Sequence, residues 1–288
     1  MEAYAYSPAL AKFRVADPGA ASGDDVVALR HHFSIPRAGA PPGEWTLGRQ
    51  VYGREPWAIY ETADAWFYVG ALPPNLESRQ FAVARFDKRH TSGDIYVASE
   101  EVVRSGATSS LTLFPTDQIV FARILADRRA CYLHAAGFVL DGKGFAFLGH
   151  SGAGKSTMVT MLKDQVPTAT NGADGILCDD RVVVRAWPDG FRVHGTWSHG
   201  DVDEVSPGSA PLAALLVLEQ AQTNSLSAAL TTREALRTLP QFVVRPLVTS
   251  DWWEKTLGLI GDLAANVPVR RLQFDMSGGV EEILRTAL

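Results

Sequence analysis

Over the first 115 residues, hydrophobic and polar residues follow one another in short segments that predict β-strands. These segments are rich in β-branched and aromatic residues and cover 57–60, 65–69, 81–86 and 94–97. Turns rich in Gly and Pro separate them, at 18–19, 39–43, 73–75 and 92–93. The spacing predicts a mostly antiparallel sheet. No cluster of chemically active residues is evident there, and the pair His31-His32 is expected to be a surface feature rather than a metal site.

The period of the pattern changes near Pro115. Apolar residues recur at helical spacing across 117–129, and Thr116 is suited to cap such a helix. We therefore expect two domains. Residues 1–115 form a β-rich N-terminal domain suited to acceptor recognition, and residues 116–288 form a second domain that carries the chemistry.

The second half of the chain predicts strands that follow strands. Apolar runs at 131–140 and 145–148 flank the turn Asp141-Gly142, which is a strong hairpin signal. A second hairpin is predicted over 181–194, after a short buried strand at 175–178. The fold class is therefore α/β, although this order differs from that of an ordinary parallel-sheet ATPase.

The loop after the first hairpin matches the pattern G-x-x-x-x-G-K-[ST] in full. Its glycines allow backbone N–H groups to surround phosphate, and a helix is predicted to begin there and to stop at Pro167. Lys155 supplies a cation for the phosphates, and the Ser156 hydroxyl is suited to Mg²⁺. The candidate nucleotide-binding residues are Gly149, Ser151, Gly152, Ala153, Gly154, Lys155, Ser156 and Thr157.

An acidic pair, Asp179-Asp180, ends the predicted strand 175–178. Because side chains alternate along a strand, the two carboxylates cannot share one face. One is expected to support Mg²⁺ and the other to face a substrate hydroxyl. Asp174 competes for either role.

Composition and charge narrow the possible functions. Hydrophobic residues make up 46% and charged residues 20% of the 288 residues, which is enough apolar material for a core. The net charge of −5 argues against a protein that coats nucleic acid or an anionic membrane. No apolar run approaches the ~20 residues that span a bilayer, and no signal peptide is evident. With only two cysteines, Cys131 and Cys178, both expected in the core, we predict a cytoplasmic protein without membrane or nucleic-acid partners.

These motifs together resemble a known family. The segment 133–136 with its His134, the Asp-Gly hairpin, the phosphate loop and the acidic pair followed by a hairpin look like HPr kinase/phosphorylase and its PEP-carboxykinase-like relatives. More closely, the sequence resembles HPr-kinase-related proteins that carry an extra N-terminal domain, and the resemblance covers about residues 116–288. It implies a PEP-carboxykinase-like P-loop kinase domain with a mixed sheet, and ATP and Mg²⁺ as cofactors.

The resemblance also implies roles for individual residues. It suggests Asp179 as the catalytic base, Asp180 and Ser156 near Mg²⁺, and His134 beside the phosphates with Lys155. For a further acidic metal contact it suggests Asp201, with Glu204 as a competitor. The segment before Asp179 is longer than in the family, and the family's HPr-binding signature is not recognised.

The leading hypothesis is an ATP–Mg²⁺-dependent kinase that phosphorylates a hydroxyl, serine above all, on a peptide, protein or small molecule. One example is a kinase that modifies a ribosomally synthesised peptide. The alternatives are a non-catalytic nucleotide-binding scaffold or regulator and, less favoured, a PEP-carboxykinase-like enzyme. A second carboxylate beside the phosphate loop favours the kinase, because nucleotide binding alone does not require it. The acceptor and a homo-oligomeric state are left open.

Overall fold

The structure, a computed structural model, describes residues 7–15, 25–34, 47–71, 80–97, 100–101, 118–165 and 174–287. It is a mixed α/β protein with two mixed sheets. The chain divides into two compact units. The first unit takes in Met1–Leu10, Val15–Arg128 and Arg245–Trp253, and the second takes in Ala11–Arg14, Arg129–Val244 and Glu254–Leu288.

Six strands form the sheet of the first unit. They are β1 (Ala28–His32), β2 (Arg49–Arg54), β3 (Trp57–Glu61), β4 (Ala65–Ala71), β5 (Gln80–Asp87) and β6 (Ser92–Val97). Their order is β1-β6-β5-β4-β3-β2, and only the pair β1–β6 is parallel. The predicted, mostly antiparallel sheet is confirmed. The turns expected at 18–19, 39–43 and 73–75 lie outside the described residues.

The helix predicted near residue 117 is present as α2 (Gln118–Ala126), after the short α1 (Pro8–Ala11). The expected cap Thr116 and start at Asp117 lie outside the described residues. Ile119, Val120 and Ile124 join the hydrophobic core of the first sheet. Helix α2 therefore belongs to the first unit, which differs from the expected boundary at residue 116.

A buried polar network also holds α2 within the first unit. Arg123, which is 2% exposed, donates from Nε to the Tyr68 hydroxyl and from its guanidinium to Thr249 Oγ1, both at 2.7 Å. The Tyr68 hydroxyl lies 2.7 Å from His90 Nε2, and His90 Nδ1 lies 2.6 Å from Asp127. A buried guanidinium is tolerated because each of these polar groups has a partner.

The second unit contains an eight-stranded sheet and the remaining helices. Its strands are β7 (Ala130–Leu140), β8 (Lys143–Leu148), β9 (Gly175–Cys178), β10 (Arg181–Trp187), β11 (Gly190–His194), β12 (Ser209–Gln220), β13 (Ser225–Leu226) and β14 (Val269–Phe274). The helices are α3 (Lys155–Gln165), α4 (Thr232–Thr238), α5 (Ser250–Asn266) and α6 (Val280–Ala287). Helix α4 leads into a 3₁₀ turn at Leu239–Gln241, and the start of α5 lies in the first unit. The expected helix stop at Pro167 lies outside the described residues.

The topology of this sheet places loops at a common edge. The order is β11-β10-β7-β8-β12-β14-β13, with β9 paired to β7 and β11 also paired to β12. Both predicted hairpins, β7–β8 and β10–β11, are confirmed as antiparallel pairs. Strands β8, β12 and β14 run parallel, so their carboxyl ends point the same way. Ligands of α/β sheets bind outside such ends.

Other residues singled out in the sequence have structural partners. Cys131 and Cys178 are buried and free, as expected for core residues, and burial raises the pKa of their thiols to about 12 and about 11. His32 lies 2.9 Å from Asp94 and stacks on Tyr96. In the part of the chain that the structure describes, no helix has the length and hydropathy needed to cross a membrane.

Candidate active site

The phosphate-loop segment lies between β8, which ends at Leu148, and α3, which begins at Lys155. The predicted strand–loop–helix arrangement is therefore confirmed. Gly152 and Gly154 have φ of +81° and +93°, a conformation that favours glycine. At Gly154 a Cβ would also lie 2.6 Å from Cζ of Phe274, so no larger residue fits without displacing that ring. Gln220 supports the loop by donating to the Gly152 carbonyl at 3.0 Å.

Lys155 lies folded over this loop. Its side chain is nearly buried, and Nζ donates to the carbonyl oxygens of Gly149 at 3.0 Å and His150 at 3.4 Å. Burial lowers the pKa of the Lys155 amine, while the charges of Asp180 and Asp179 act in the opposite direction. Two backbone carbonyl oxygens of the loop thus fix the position of the Lys155 ammonium group.

Asp179 is 1% exposed and links the start of α3 to the segment 200–202. Its Oδ2 accepts from the Ser156 hydroxyl at 2.8 Å and from Val202 N at 2.9 Å, while Oδ1 accepts from Gly200 N at 2.6 Å. A carboxylate with three donors is firmly oriented. Its contact with Ser156 places it beside the hydroxyl that the motif assigns to Mg²⁺.

Asp180 has a different set of partners. Its Oδ1 lies 3.3 Å from His134 Nε2, and its Oδ2 lies 2.8 Å from Arg181 and accepts from Ser198 Oγ at 3.2 Å. Burial by itself raises the pKa of Asp180, but the hydrogen bond to His134 and the charge of Arg181 outweigh it and lower that pKa. The Asp180 side chain remains 18% exposed, so a ligand can reach it.

The two adjacent carboxylates thus have separate environments, as the alternation of side chains predicts. Their partners, however, are distributed differently from what the resemblance implies. The resemblance groups Ser156 with Asp180, whereas in the structure the Ser156 hydroxyl meets Asp179, and His134 pairs with Asp180.

The other acidic candidates lie in varied positions. Asp201 is exposed, and its charge acts on Lys155. Glu204 forms an ion pair with Lys163. Asp174 accepts from the backbone N–H groups of the 141–142 turn, each at 3.0 Å, so it stabilises the β7–β8 hairpin. Among the described residues no group of three or more His, Cys, Asp or Glu side chains is arranged to hold a metal.

The hydrogen-bond donors around the acidic pair were not predicted from the sequence. Arg181 and Ser198 hydrogen-bond to each other at 2.7 Å beside Asp180. Gly200 and Val202 act through backbone N–H groups, which have no signature in a sequence. One signal was available in the sequence, because Gly200 lies within residues 116–288, which the family resemblance covers. A Cβ at position 200 would lie 3.1 Å from Asp179 Oδ2, so a glycine lets the backbone approach this carboxylate closely.

No family model matches this chain, and no curated protein matches it. The resemblance to HPr-kinase-related proteins therefore rests on the motifs quoted above.

Proposed function

We propose that the protein is an ATP- and Mg²⁺-dependent kinase that transfers phosphate to a hydroxyl group, serine above all, of a peptide, protein or small molecule. The observation that carries this proposal is the division of the acidic pair. Asp179 accepts a hydrogen bond from Ser156 of the phosphate-loop helix, and Asp180 contacts His134. A kinase needs one acidic group on the metal side and another on the acceptor side.

The second unit supports a PEP-carboxykinase-like P-loop kinase domain. Antiparallel β7 adjoins the strand β8 that leads into the loop, and the acidic pair precedes the β10–β11 hairpin. This is the order of elements that the family resemblance implies. The proposal extends to a role of the first unit in acceptor recognition, because the acidic pair and the phosphate loop both belong to the second unit.

The residues present fit a nucleoside triphosphate with Mg²⁺. The loop N–H groups, the start of α3 and Lys155 would hold the phosphates. Ser156 would bind the metal. Asp179 would orient the Ser156 hydroxyl, or it would accept a hydrogen bond from a water molecule bound to the metal. When bound, ATP would supply the phosphoryl group, and Mg²⁺ would neutralise negative charge on the phosphates.

On the acceptor side we assign the base to Asp180. A base must come within hydrogen-bond reach of the acceptor hydroxyl. Asp180 is partly exposed, whereas Asp179 is enclosed by its three donors. Asp180 is ionised at neutral pH, as an aspartate of ordinary or lowered pKa is, so it can accept the proton. His134 contacts Oδ1 of Asp180 and orients the carboxylate. The assignment implied by the family resemblance, with Asp179 as base and Asp180 and Asp201 at the metal, is the alternative.

The proposal is tested by incubating the full chain with Mg²⁺, γ-labelled ATP and hydroxyl acceptors, including free serine and serine-containing peptides. Mass spectrometry detects a phosphorylated acceptor. We expect label transfer in the wild type and in Lys163→Ala, an exposed lysine of the same helix, and loss of transfer in Lys155→Ala. If nucleotide binds normally but no acceptor receives label, a non-catalytic nucleotide-binding scaffold replaces the kinase.

A further inference from the structure

Two arginines lie directly opposite each other in the β10–β11 hairpin. Arg185 of β10 and Arg192 of β11 are register partners. Like charges in this position destabilise an antiparallel pair. The whole chain carries a net charge of −5, so this positive pair has the opposite sign to the protein around it. An anion bound beside the two guanidinium groups would offset the cost of the pairing.

The charge of the two arginines reaches the neighbouring histidine of β11. The pKa of His194 falls to about 4, first because the ring is buried and then because of the charges of Arg192 and Arg185. At neutral pH this histidine is therefore uncharged, and the positive charge belongs to the arginines. Among the described residues, Arg192 donates only to neutral oxygens, the carbonyl and the hydroxyl of Ser209, both at 3.5 Å. Its guanidinium can therefore donate to an added anion without leaving a carboxylate.

The arginines share a partly exposed face with an aromatic ring. Arg185 and Trp187 stand two residues apart on β10, so their side chains lie on the same face. The Arg185 Cζ atom lies 3.9 Å from the centre of the Trp187 ring, a cation–π contact that holds the guanidinium in place. Both side chains and Arg192 are partly exposed, and Pro211, the register partner of Arg192 on β12, is exposed. An arginine held in this way presents a planar group that matches a carboxylate.

The same face of the sheet leads to the acidic pair. Arg181 lies four residues before Arg185 on β10, and it is the register partner of His134 on β7. The side chains of Arg181 and His134 both contact Asp180. At about 3.3 Å per residue of strand, Arg185 lies ~13 Å from Arg181. Because an extended peptide has the same rise, a peptide with its hydroxyl at Asp180 would place residues about four positions away at the two arginines.

Given the proposed function, we propose that Arg185, Arg192 and Trp187 form a docking surface for an acidic segment of a peptide or protein acceptor. The segment carries Asp or Glu about four residues from the serine that receives the phosphate. Charge complementarity selects this occupant. A nucleic acid is disfavoured, because its affinity depends on many cations along the phosphate backbone, and two arginines supply few. Among the acceptors left open, the surface selects acidic peptides over uncharged small molecules.

The probes are two synthetic peptides that each contain a single serine. In the first peptide, pairs of glutamates stand about four residues to either side of the serine. In the second, glutamine replaces every glutamate. Fluorescence anisotropy measures the binding of each labelled peptide to the full chain, and transfer from γ-labelled ATP with Mg²⁺ gives KM and kcat.

We expect the wild type to bind the glutamate peptide at least about fivefold more tightly than the glutamine peptide, as for two partly exposed charge pairs. The preference should appear in KM and not in kcat, because the docking surface does not touch the reacting groups. Arg185→Gln and Arg192→Gln should each lose most of the preference, and Arg185→Lys, which keeps the charge, should retain more of it than Arg185→Gln. Arg233→Gln removes an exposed arginine of α4 and serves as the matched control, with the full preference expected.

Circular dichroism confirms that each variant is folded, and Arg192→Glu provides a second change at a partly exposed position, which should abolish the preference. Equal binding of the two peptides by the wild type would overturn the inference and leave the proposed function standing. Full preference in both glutamine variants would also overturn it, as would displacement of the glutamate peptide by a single-stranded oligonucleotide at lower concentration than by unlabelled peptide. If the wild type prefers the glutamate peptide but transfers label to neither, the proposed function fails while the docking of an acidic peptide stands.

Discussion

Replacing Asp179 with asparagine should weaken both the fold around the site and its use of Mg²⁺. The two oxygens of Asp179 accept from Gly200 N, Val202 N and the Ser156 hydroxyl. An amide nitrogen at Oδ1 would face Gly200 N–H, and one at Oδ2 would face Val202 N–H. Either orientation leaves a buried backbone donor without an acceptor, which costs about 1–3 kcal/mol.

The effect on the metal follows from the same contact. Asp179→Asn removes a negative charge from the oxygen that meets Ser156, so the Mg²⁺ concentration for half-maximal transfer should rise at least about tenfold, or ~1.4 kcal/mol. Asp180→Asn removes the proposed base instead. It should leave that concentration unchanged and lower the rate at saturating Mg²⁺ by ~10²–10⁴.

The assay measures transfer rate against Mg²⁺ concentration for both variants, with urea unfolding to separate loss of stability from loss of metal. Asp189→Asn, an exposed aspartate in the β10–β11 turn, serves as the control. If Asp180→Asn shifts the metal requirement and Asp179→Asn does not, the assignment implied by the family resemblance is right and ours is wrong. If neither variant slows transfer, the acidic pair is not catalytic.

Three further outcomes are expected. Lys155→Ala should weaken ATP–Mg²⁺ binding at least about tenfold by calorimetry, with an unchanged circular dichroism spectrum; normal affinity would remove the phosphate-loop assignment. Arg123→Met should lower the free energy of unfolding, measured in urea, by about 3 kcal/mol, because the hydrogen bonds of Arg123 to Tyr68 and Thr249 are lost. A change below about 0.5 kcal/mol, which is typical of surface substitutions, would contradict the structural role of the network. Burial and nearby arginine charges lower the pKa of His194 to about 4. The unfolded chain therefore binds a proton on this histidine at a higher pH than the folded chain does. Stability should fall as the pH drops from about 6.5 towards 4. His194→Gln should flatten that fall in thermal unfolding, and an identical pH profile would refute it.

The sequence by itself determined the features that depend on neighbouring residues. The phosphate loop follows from local backbone freedom and the spacing of Gly154, Lys155 and Ser156. The β7–β8 hairpin follows from Asp141-Gly142, whose φ values of +52° and +72° such residues tolerate. The separation of the adjacent carboxylates follows from strand alternation alone.

Only the tertiary structure decided which group each of these features meets. Ser156 contacts Asp179 because segment 200–202, distant in sequence, turns that carboxylate towards α3. Helix α2 joined the first unit because its apolar face and Arg123 found partners there, and an amphipathic pattern does not specify which sheet will cover it. The ends of β8, β12 and β14 lie at one edge of the sheet because these strands, which are far apart in sequence, pair in parallel. Such contacts depend on the pairing order of strands, which the local pattern of residues does not encode.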